Sequence, residues 1–569
     1  MKIYIKKISL NRINILLKTV FFFSLLFLFL SLEVFNALAD PVTTAVTVGN
    51  NAPVITDGPR ENPTSSATTP TDIGSDTTFE VTATDSNSDD YYLIVCSTDA
   101  VTPVNGGAPT CDVTTWCVSS ATTSGSQATC SRTALAGDSV SNIWYGFVCD
   151  GHSSFADCSP TGNQGSGDSG SPFVVNHQAS FTGASNDAPK DPGQTVTWST
   201  TASDSTDSDN VKLLVCKTTG VSAGACDGGA GDTWCSSSLV ASNPSCQYSI
   251  PSVIPDGSYN AYTYIVDEHN LHATGAYQGT NISFVINNVA PIVSAVTING
   301  GIAIDLTEST TKAVTLTATV SDNNSCFGGE IPTVYGYAYR SSVAYTGCDQ
   351  AGEANNNYCY PEITCSVVGG TCTDNTDASA NYTCTANIYY YADPTDTGTQ
   401  HDTDTWLDTI KAIDDDTSSH SLEVSTGVNI NSLTAFSITS GINFGNLGIG
   451  GSNDPLDKTT TTTPTGNVGL DQELSGAANM CVDYPTCSGG TPIGVTYQKY
   501  SLTSLTAYSS GVSLSTTPTE TELNVPKPIT QTPTTKDTWW GILIPAGTNP
   551  GQYNGANTAT AVKGEIVDW

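Results

Sequence analysis

The sequence predicts an all-β protein built from tandem antiparallel β-sandwich domains, stapled by disulfides and preceded by an N-terminal signal segment. Short β-branched stretches alternate with polar residues and are punctuated by Gly, Pro, Asn and Asp, which is typical of strands and tight turns. Charged residues make up only 13% of the chain, and the long Ala/Glu/Lys/Leu-rich runs that favour helices are missing. At 569 residues the chain is too long for one core, so several domains are expected.

Residues 1–39 have the pattern of a secretory signal. A basic region precedes the apolar run Thr19–Leu32, and small residues end the segment at Ala39, directly before Asp40. The apolar run is shorter than the ~20 residues that a membrane-spanning helix needs. We therefore expect cleavage between Ala39 and Asp40 and an exported chain, secreted or held at the cell surface. The membrane would be a partner only through an uncleaved signal segment.

The net charge is strongly negative. Removing the signal would take away five basic residues and Glu33, so the net charge would move from −36 to −40. Such a surface repels nucleic acid and anionic membranes, whereas it suits divalent cations or solubility alone. The sequence thus predicts no nucleic-acid partner.

One apolar strand that ends in cysteine occurs twice. Tyr91–Cys96 returns as Val211–Cys216, and each copy follows an Asp-rich turn and precedes a Trp-Cys pair. A fixed-order repeat of this length indicates a domain duplicated in tandem. We divide the chain into a leader (40–50), a first repeat (51–176), a second repeat (177–288), a third repeat with a cysteine-rich insertion (289–432) and a C-terminal β-domain of a different type (433–569).

These units, with many short strands each, resemble the immunoglobulin-like, fibronectin-III-like and cadherin-like repeats of bacterial surface proteins. The strand rhythm carries the resemblance together with the repeat boundaries, such as Ser171–Asn176 against Ile282–Asn287 and Ala290–Val293 against Ala52–Ile55. It implies immunoglobulin-like two-sheet sandwiches used for adhesion, spacing or surface assembly.

Cysteines predict disulfides in an exported chain, and they fall in even groups that let each domain close its own bridges. Aligning the two repeats places Cys149 opposite Val266 and Cys158 opposite Gly275. Both cysteines are therefore absent from the second copy, which predicts a Cys149–Cys158 bridge.

The C-terminal domain has only one pair of cysteines, which predicts a Cys481–Cys487 bridge. The absence of a CxxC motif and the presence of only six His make zinc an unexpected ligand. For the four positions that the first two repeats share, three connectivities stay open. The cysteines whose pairing the sequence leaves open are Cys96, Cys111, Cys117, Cys130, Cys216, Cys226, Cys235, Cys246, Cys326, Cys348, Cys359, Cys365, Cys372 and Cys384.

Aspartates recur after an early and a late strand of each repeat, and the two loops are expected at one pole of a sandwich, facing the preceding domain. Calcium prefers six to eight oxygen ligands, which Asp side chains and loop carbonyls supply. Polar turns that merely keep the protein soluble are the alternative. The candidate calcium ligands are Asp85, Asp89, Asp90, Asp150, Asp204, Asp207, Asp209, Asp267, Asp322, Asp414, Asp415 and Asp416.

A serine-protease-like motif, Gly167-Asp168-Ser169-Gly170-Ser171-Pro172, is present. Trypsin-like catalysis needs a histidine base, and His152 lacks that family's context. Repeat alignment places Ser169 in the loop before the last strand of the first repeat. We therefore predict no catalytic residues and no enzymatic activity.

Clustered aromatic residues are the expected contact points for a glycan or a protein partner, since one ring of each set must face outward. They are Tyr389-Tyr390-Tyr391 and Trp539-Trp540. The resulting prediction is a non-enzymatic exported surface protein for adhesion or structural assembly, with Ca²⁺ as its one possible cofactor and an unknown extracellular protein or glycan as partner. The alternatives are a calcium-stiffened spacer or filament subunit, and a binding module of a secreted hydrolase system.

Overall fold

The computed structural model describes residues 45–159 and 172–569. The predicted signal segment, its cleavage point and the Ser169 motif lie outside these residues. The described chain is 44% strand and 5% helical, so the predicted all-β fold is confirmed. Among the helices that the structure describes, none has the length and apolar character needed to cross a membrane. These helices are short 3-10 turns at Gly229–Asp232, Asn299–Gly301, Ser341–Val343, Tyr345–Gly347, Ala351–Glu353, Val495–Tyr497, Tyr508–Ser510 and Ile566–Asp568.

The first repeat contains strands β1 (Val54–Asn62), β2 (Thr71–Asp72), β3 (Asp76–Thr84), β4 (Tyr91–Cys96), β5 (Val101–Thr102), β6 (Thr110–Cys111), β7 (Thr115–Val118), β8 (Gln127–Thr133), β9 (Ser141–Asn142), β10 (Tyr145–Asp150) and β11 (Phe173–Asn176). One sheet has the order β1-β3-β8, another β10-β4-β7, and a third β2-β11-β9, in which β2 and β11 are parallel. Alternating residues of the facing sheets, including Phe79 and Leu93, form one buried core with Trp144, which lies between β9 and β10.

The second repeat contains β12 (Ser180–Asn186), β13 (Thr195–Ser203), β14 (Val211–Cys216), β15 (Val221–Ser222), β16 (Ala225–Cys226), β17 (Thr233–Ser236), β18 (Ser245–Ser249), β19 (Gly257–Tyr259), β20 (Tyr262–Asp267), β21 (Thr280–Asn281) and β22 (Phe284–Ile286). Its main sheets are β12-β13-β18 and β17-β14-β20-β21. Phe181, Trp198, Leu213 and Ile265 pack between them.

The third repeat contains β23 (Ile292–Ile298), β24 (Thr311–Ser321), β25 (Thr333–Arg340), β26 (Cys359–Val367), β27 (Ser379–Tyr389), β28 (Trp406–Ile413) and β29 (Ser419–Glu423). Its two layers are continuous, in the order β23-β24-β27-β26-β25-β28-β29. Strand β26 pairs with β25 through Cys359–Thr364 and with β27 through Cys365–Val367. A bulge opposite β25 and the positive φ of Glu362 bend β26 from one layer into the other.

The C-terminal domain contains β30 (Phe436–Ile438), β31 (Lys458–Pro464), β32 (Leu470–Gly476), β33 (Gln498–Ser501), β34 (Val512–Ser513), β35 (Thr519–Val525), β36 (Lys536–Ile542) and β37 (Asn557–Lys563). A five-stranded sheet, β30-β31-β36-β33-β34, faces a three-stranded sheet, β35-β32-β37. Leu474 and Trp540 meet in the core between the sheets.

Nine disulfides use all eighteen cysteines. The structure contains Cys149–Cys158 and Cys481–Cys487, the two pairings that the sequence predicted. The pairings that the sequence left open are Cys96–Cys111, Cys117–Cys130, Cys216–Cys226, Cys235–Cys246, Cys326–Cys372, Cys348–Cys359 and Cys365–Cys384. So many bridges are typical of an oxidising, extracytoplasmic compartment.

The first two repeats share one disulfide plan. Cys117–Cys130 joins β7 to β8, which belong to different sheets, and Cys235–Cys246 repeats this link between β17 and β18. A bridge that closes a loop of this size stabilises a domain by about 3 kcal/mol through the unfolded chain. The remaining shared bridge closes a hairpin over the outer face of β4 or β14.

Candidate cation sites at the poles of the repeats

The same hydrogen bond opens each of the three repeats. An asparagine that lies four residues before the first strand donates from Nδ2 to the aspartate that ends the late strand or directly follows it. The three pairs, with N–O distances of 2.6, 3.0 and 3.0 Å, are Asn50–Asp150, Asn176–Asp267 and Asn288–Asp414. This bond fixes the linker to the pole of the repeat that follows it.

The late aspartates are anchors. Asp150 accepts the backbone N–H groups of its own turn at Oδ1, from His152 and Asp157, while Oδ2 is taken by Asn50. Asp267 has the same pattern, and both side chains are at most 1% exposed. Burial raises the pKa of Asp267 despite these bonds. Their oxygens are thus engaged by the protein.

In the first two repeats the early aspartate has one oxygen without a hydrogen-bond partner among the described residues. Asp85 accepts the backbone N–H groups of Asn87 and Asp89 at Oδ1, at 2.7 and 3.1 Å, and Asp204 caps its own turn in the same way. Asp85 is 6% exposed and Asp204 is 7% exposed. The Oδ2 atom of each is buried and has no hydrogen-bond partner among the described residues. A buried anionic oxygen without a partner is costly unless a cation compensates it.

Further oxygens of the same kind lie beside them in the first repeat. Asn50 Oδ1 and Asp89 Oδ2 are also buried without a hydrogen-bond partner in the described chain. Asn51 bonds to the Asp85 turn, through Asn87 Oδ1 at 3.2 Å and Ser86 Oγ at 3.1 Å, so the linker and the turn meet. This pole thus brings together carboxylate and amide oxygens, the type of ligand that Ca²⁺ prefers.

The second repeat has the same kinds of unpartnered oxygens and brings several carboxylates close together. Asn176 Oδ1 is the equivalent open oxygen. Ligand atoms of Asp204, Asp207 and Asp209 lie within 4.8 Å of one another, and a second group joins Asp209 to Glu268 and His269. Burial, and then the neighbouring carboxylates, raise the pKa of Asp209 to about 6, although the nearby His269 opposes this shift.

The third repeat gathers carboxylates across the junction with the second. Asp256 of the second repeat and Glu330 and Asp415 of the third place ligand atoms within 4.8 Å of one another. Burial and then repulsion from these carboxylates raise the pKa of Glu330 to about 7. Burial also raises the pKa of Asp322 to about 6, with Asp414 contributing. Asp256 has a raised pKa from burial and from its contact with Asp416.

A buried side chain clamps each junction. His177 lies between Asp207 of the second repeat, with Nδ1 2.8 Å from Oδ1, and the carbonyl of Asp138 in the first. Asn324 accepts the N–H of Val289 and donates to the carbonyls of Asn287 and Ile254.

Asn467 of the C-terminal domain repeats the Asn324 arrangement. It accepts the N–H of Leu433 and donates to the carbonyls of Asn431 and Ala392. Successive domains are therefore joined through hydrogen-bonded linkers.

The predicted ligands divide into groups. The structure brings Asp204, Asp207 and Asp209 together and places Asp415 in the group that crosses the next junction. Asp90 is exposed. The predicted ligands that belong to none of the groups in the described chain are Asp85, Asp89, Asp90, Asp150, Asp267, Asp322, Asp414 and Asp416. Sequence reasoning missed the linker asparagines, whose signal was their fixed position before each first strand, and it missed Asp256 and Glu330, whose roles depend on the contact between two repeats.

The aromatic clusters are mostly internal. Tyr390, Tyr391 and Trp540 are buried, whereas Tyr389 and Trp539 are half-buried. In comparisons with known proteins, no protein-family model and no curated protein matches the chain.

Proposed function

We propose that this protein is a non-enzymatic, exported structural spacer for surface assembly, whose domain junctions are stiffened by bound Ca²⁺. One observation carries the proposal: linker asparagines recur at the same pole of all three repeats, and in the first two repeats they and the early aspartates have buried oxygens that lack hydrogen-bond partners in the described chain. This function is the calcium-stiffened spacer that the sequence offered as an alternative, and any adhesion would use a different site.

The donor chemistry supports a hard cation. Carboxylate and amide oxygens predominate, His269 is the one nitrogen ligand in the groups, and every cysteine is in a disulfide. Ca²⁺ accepts six to eight such oxygens in flexible geometry, so loop carbonyls and water would complete its shell. The excess of 54 acidic over 18 basic residues favours cation binding in general.

The position of the groups supports a mechanical role. Without a cation, Asp256 repels Glu330 across the junction between the second and third repeats, and this repulsion adds to burial in raising the pKa of Glu330. A bound divalent cation would turn this repulsion into a bridge between two domains. Nine disulfides support export, because they persist in an oxidising compartment.

Calcium titration of the intact, exported chain tests the proposal. We expect saturable heat in calorimetry and a higher Tm, because a ligand that binds only the folded state at 100 times its Kd contributes about 2.7 kcal/mol per site. Chelation should broaden the interdomain distances measured by small-angle scattering. Asp204→Asn should remove one binding event while keeping side-chain shape.

The matched control for this titration is Asp377→Asn, which changes a half-buried aspartate whose side chain accepts hydrogen bonds from Thr373 and Asp374 of its own turn and should leave binding intact. Millimolar Ca²⁺ that changes neither Tm nor scattering in the wild-type chain would refute the calcium role.

Calcium binding at the junction of the second and third repeats should weaken as the pH falls. Glu330 has a pKa of about 7 and Asp322 of about 6 in the cation-free protein, so protons compete for these carboxylates below pH 7. Titrations at pH 8 and pH 5.5 should show a lower affinity at pH 5.5. Glu330→Gln should reduce this pH dependence, and an unchanged dependence in that variant would exclude Glu330 as a ligand.

A further inference from the structure

A polar cleft lies between the third repeat and the C-terminal domain. Its volume is about 570 Å³. The third repeat contributes residues 309–311, Tyr389 and Tyr390, and the C-terminal domain contributes Ser437, residues 463–465, Gln531 and Pro533. Clefts of this size between domains are common places for small-ligand sites.

The lining has an unusual chemistry for so acidic a protein. Every lining side chain is Ser, Thr, Tyr, Gln or Pro, so the lining itself carries no formal charge. The carboxylate behind it, Glu308, accepts the hydroxyl of Thr465 at 2.7 Å. Lys and Arg would be expected around an anion, and carboxylates around a cation. The hydroxyl and amide groups both donate and accept hydrogen bonds. A neutral ligand rich in hydroxyl groups matches this surface.

Aromatic rings border the cleft. Tyr389 is half-buried and stacks on Tyr391, with ring centroids 5.3 Å apart and planes 24° from parallel. Tyr391 in turn meets Tyr390 edge-on. A tyrosine ring offers an apolar face together with a polar tip, which suits the mixed apolar and hydroxyl faces of a sugar ring.

One wall of the cleft is anchored. The segment 527–533 of the C-terminal domain reaches the third repeat, where Lys527 Nζ lies 3.0 Å from Asp393 Oδ1 and donates to the carbonyl of Tyr391 at 2.8 Å. Asn357 of the third repeat donates to the carbonyl of Ile529. These contacts hold the part of the segment that precedes Gln531 and Pro533, so both domains fix the shape of the cleft. Such preorganisation lowers the entropic cost of binding.

We propose that this cleft binds a neutral oligosaccharide, with Tyr389 as the stacking platform and Gln531 and the surrounding threonine hydroxyls as hydrogen-bonding groups. The site is separate from the proposed cation sites. One of these lies near the junction of the first and second repeats, and another at the junction of the second and third repeats. It would give the spacer a point of attachment to a glycan.

The test uses the exported chain with cellotetraose, the N-acetylglucosamine tetramer and mannotetraose as probes, each followed by calorimetry and saturation-transfer NMR. We expect at least one probe to bind, and to bind equally with and without a calcium chelator. Tyr389→Ala and Gln531→Ala should each weaken that binding at least tenfold. Tyr92→Ala, which changes a partly exposed tyrosine of the first repeat, is the matched control and should bind as the wild type does.

Failure of all three neutral tetrasaccharides to bind would overturn the proposal, and so would binding that survives both cleft variants. Preferential binding of a sulfated tetrasaccharide over the neutral probes would also overturn it, because the uncharged lining offers an anion no counter-charge. Since the readout is independent of calcium, its failure would leave the spacer proposal untouched.

Discussion

Asp408→Asn should make the third repeat more stable than the wild type at pH 8. Asp408 lies on β28 between Trp406 and Ile410, opposite Ala338, and is fully buried. Neither carboxylate oxygen has a hydrogen-bond partner among the described residues. Burial raises the pKa of Asp408 to about 8, and the nearby N–H of Tyr337 offsets this shift only in part.

The direction of the pH effect follows from proton linkage. An unfolded Asp loses its proton near pH 3.9, whereas the folded repeat keeps it until about pH 8. Between these values the folded state binds one more proton, so the free energy of unfolding falls as the pH rises, by up to about 1.4 kcal/mol per pH unit. The loss should be on the order of 4 kcal/mol between pH 5 and pH 8, and should level off above pH 8.

Urea unfolding of the full chain at pH 5, 6, 7 and 8 measures this loss. Asp408→Asn removes the titrating group, so its advantage over the wild type should grow with pH. Asp402→Asn, an exposed aspartate of the same repeat, should run parallel to the wild type. An advantage that does not change with pH would mean that Asp408 is ionised in the folded repeat.

Asn324→Ala should loosen the junction between the second and third repeats. The Asn324 side chain is 1% exposed, accepts the Val289 N–H at 2.5 Å and donates to the Asn287 carbonyl at 3.1 Å and the Ile254 carbonyl at 3.4 Å. Truncation leaves these backbone groups unpaired, at about 1 kcal/mol or more for each. We expect a total loss of roughly 3 kcal/mol.

Thermal unfolding and protease cleavage of the linker Asn287–Val289 report this effect, and cleavage should become faster in the variant. Asn323→Ala is the matched control, because Asn323 is exposed and bonds to Ile254 only through its backbone carbonyl. Equal cleavage rates for the two variants would show that the Asn324 side chain does not hold the junction.

Local patterns were sufficient for several features. The absence of two cysteines from the second repeat led to the Cys149–Cys158 pair, and Asp85 caps its turn as an aspartate in that position should. In each case the interacting residues lie close together in the sequence, or comparison with the duplicated repeat reveals them, so the sequence alone is sufficient.

Other features required the contacts between distant segments. The sequence could not choose the inter-sheet bridge Cys117–Cys130 from three connectivities, because the choice depends on which strands belong to facing sheets. Nor could it join Asp256 to Glu330, which lie in different repeats.

By itself, the sequence determined the all-β class, the disulfide-rich character and the Asp-rich turns, because strand periodicity, cysteine number and turn chemistry act over a few residues. Only the tertiary structure decided which oxygens are buried without partners, how Asn324 and Asn467 join neighbouring domains, and where an uncharged cleft opens. Those properties depend on packing between residues far apart in the chain, where burial and hydrogen-bond geometry are set by the whole fold.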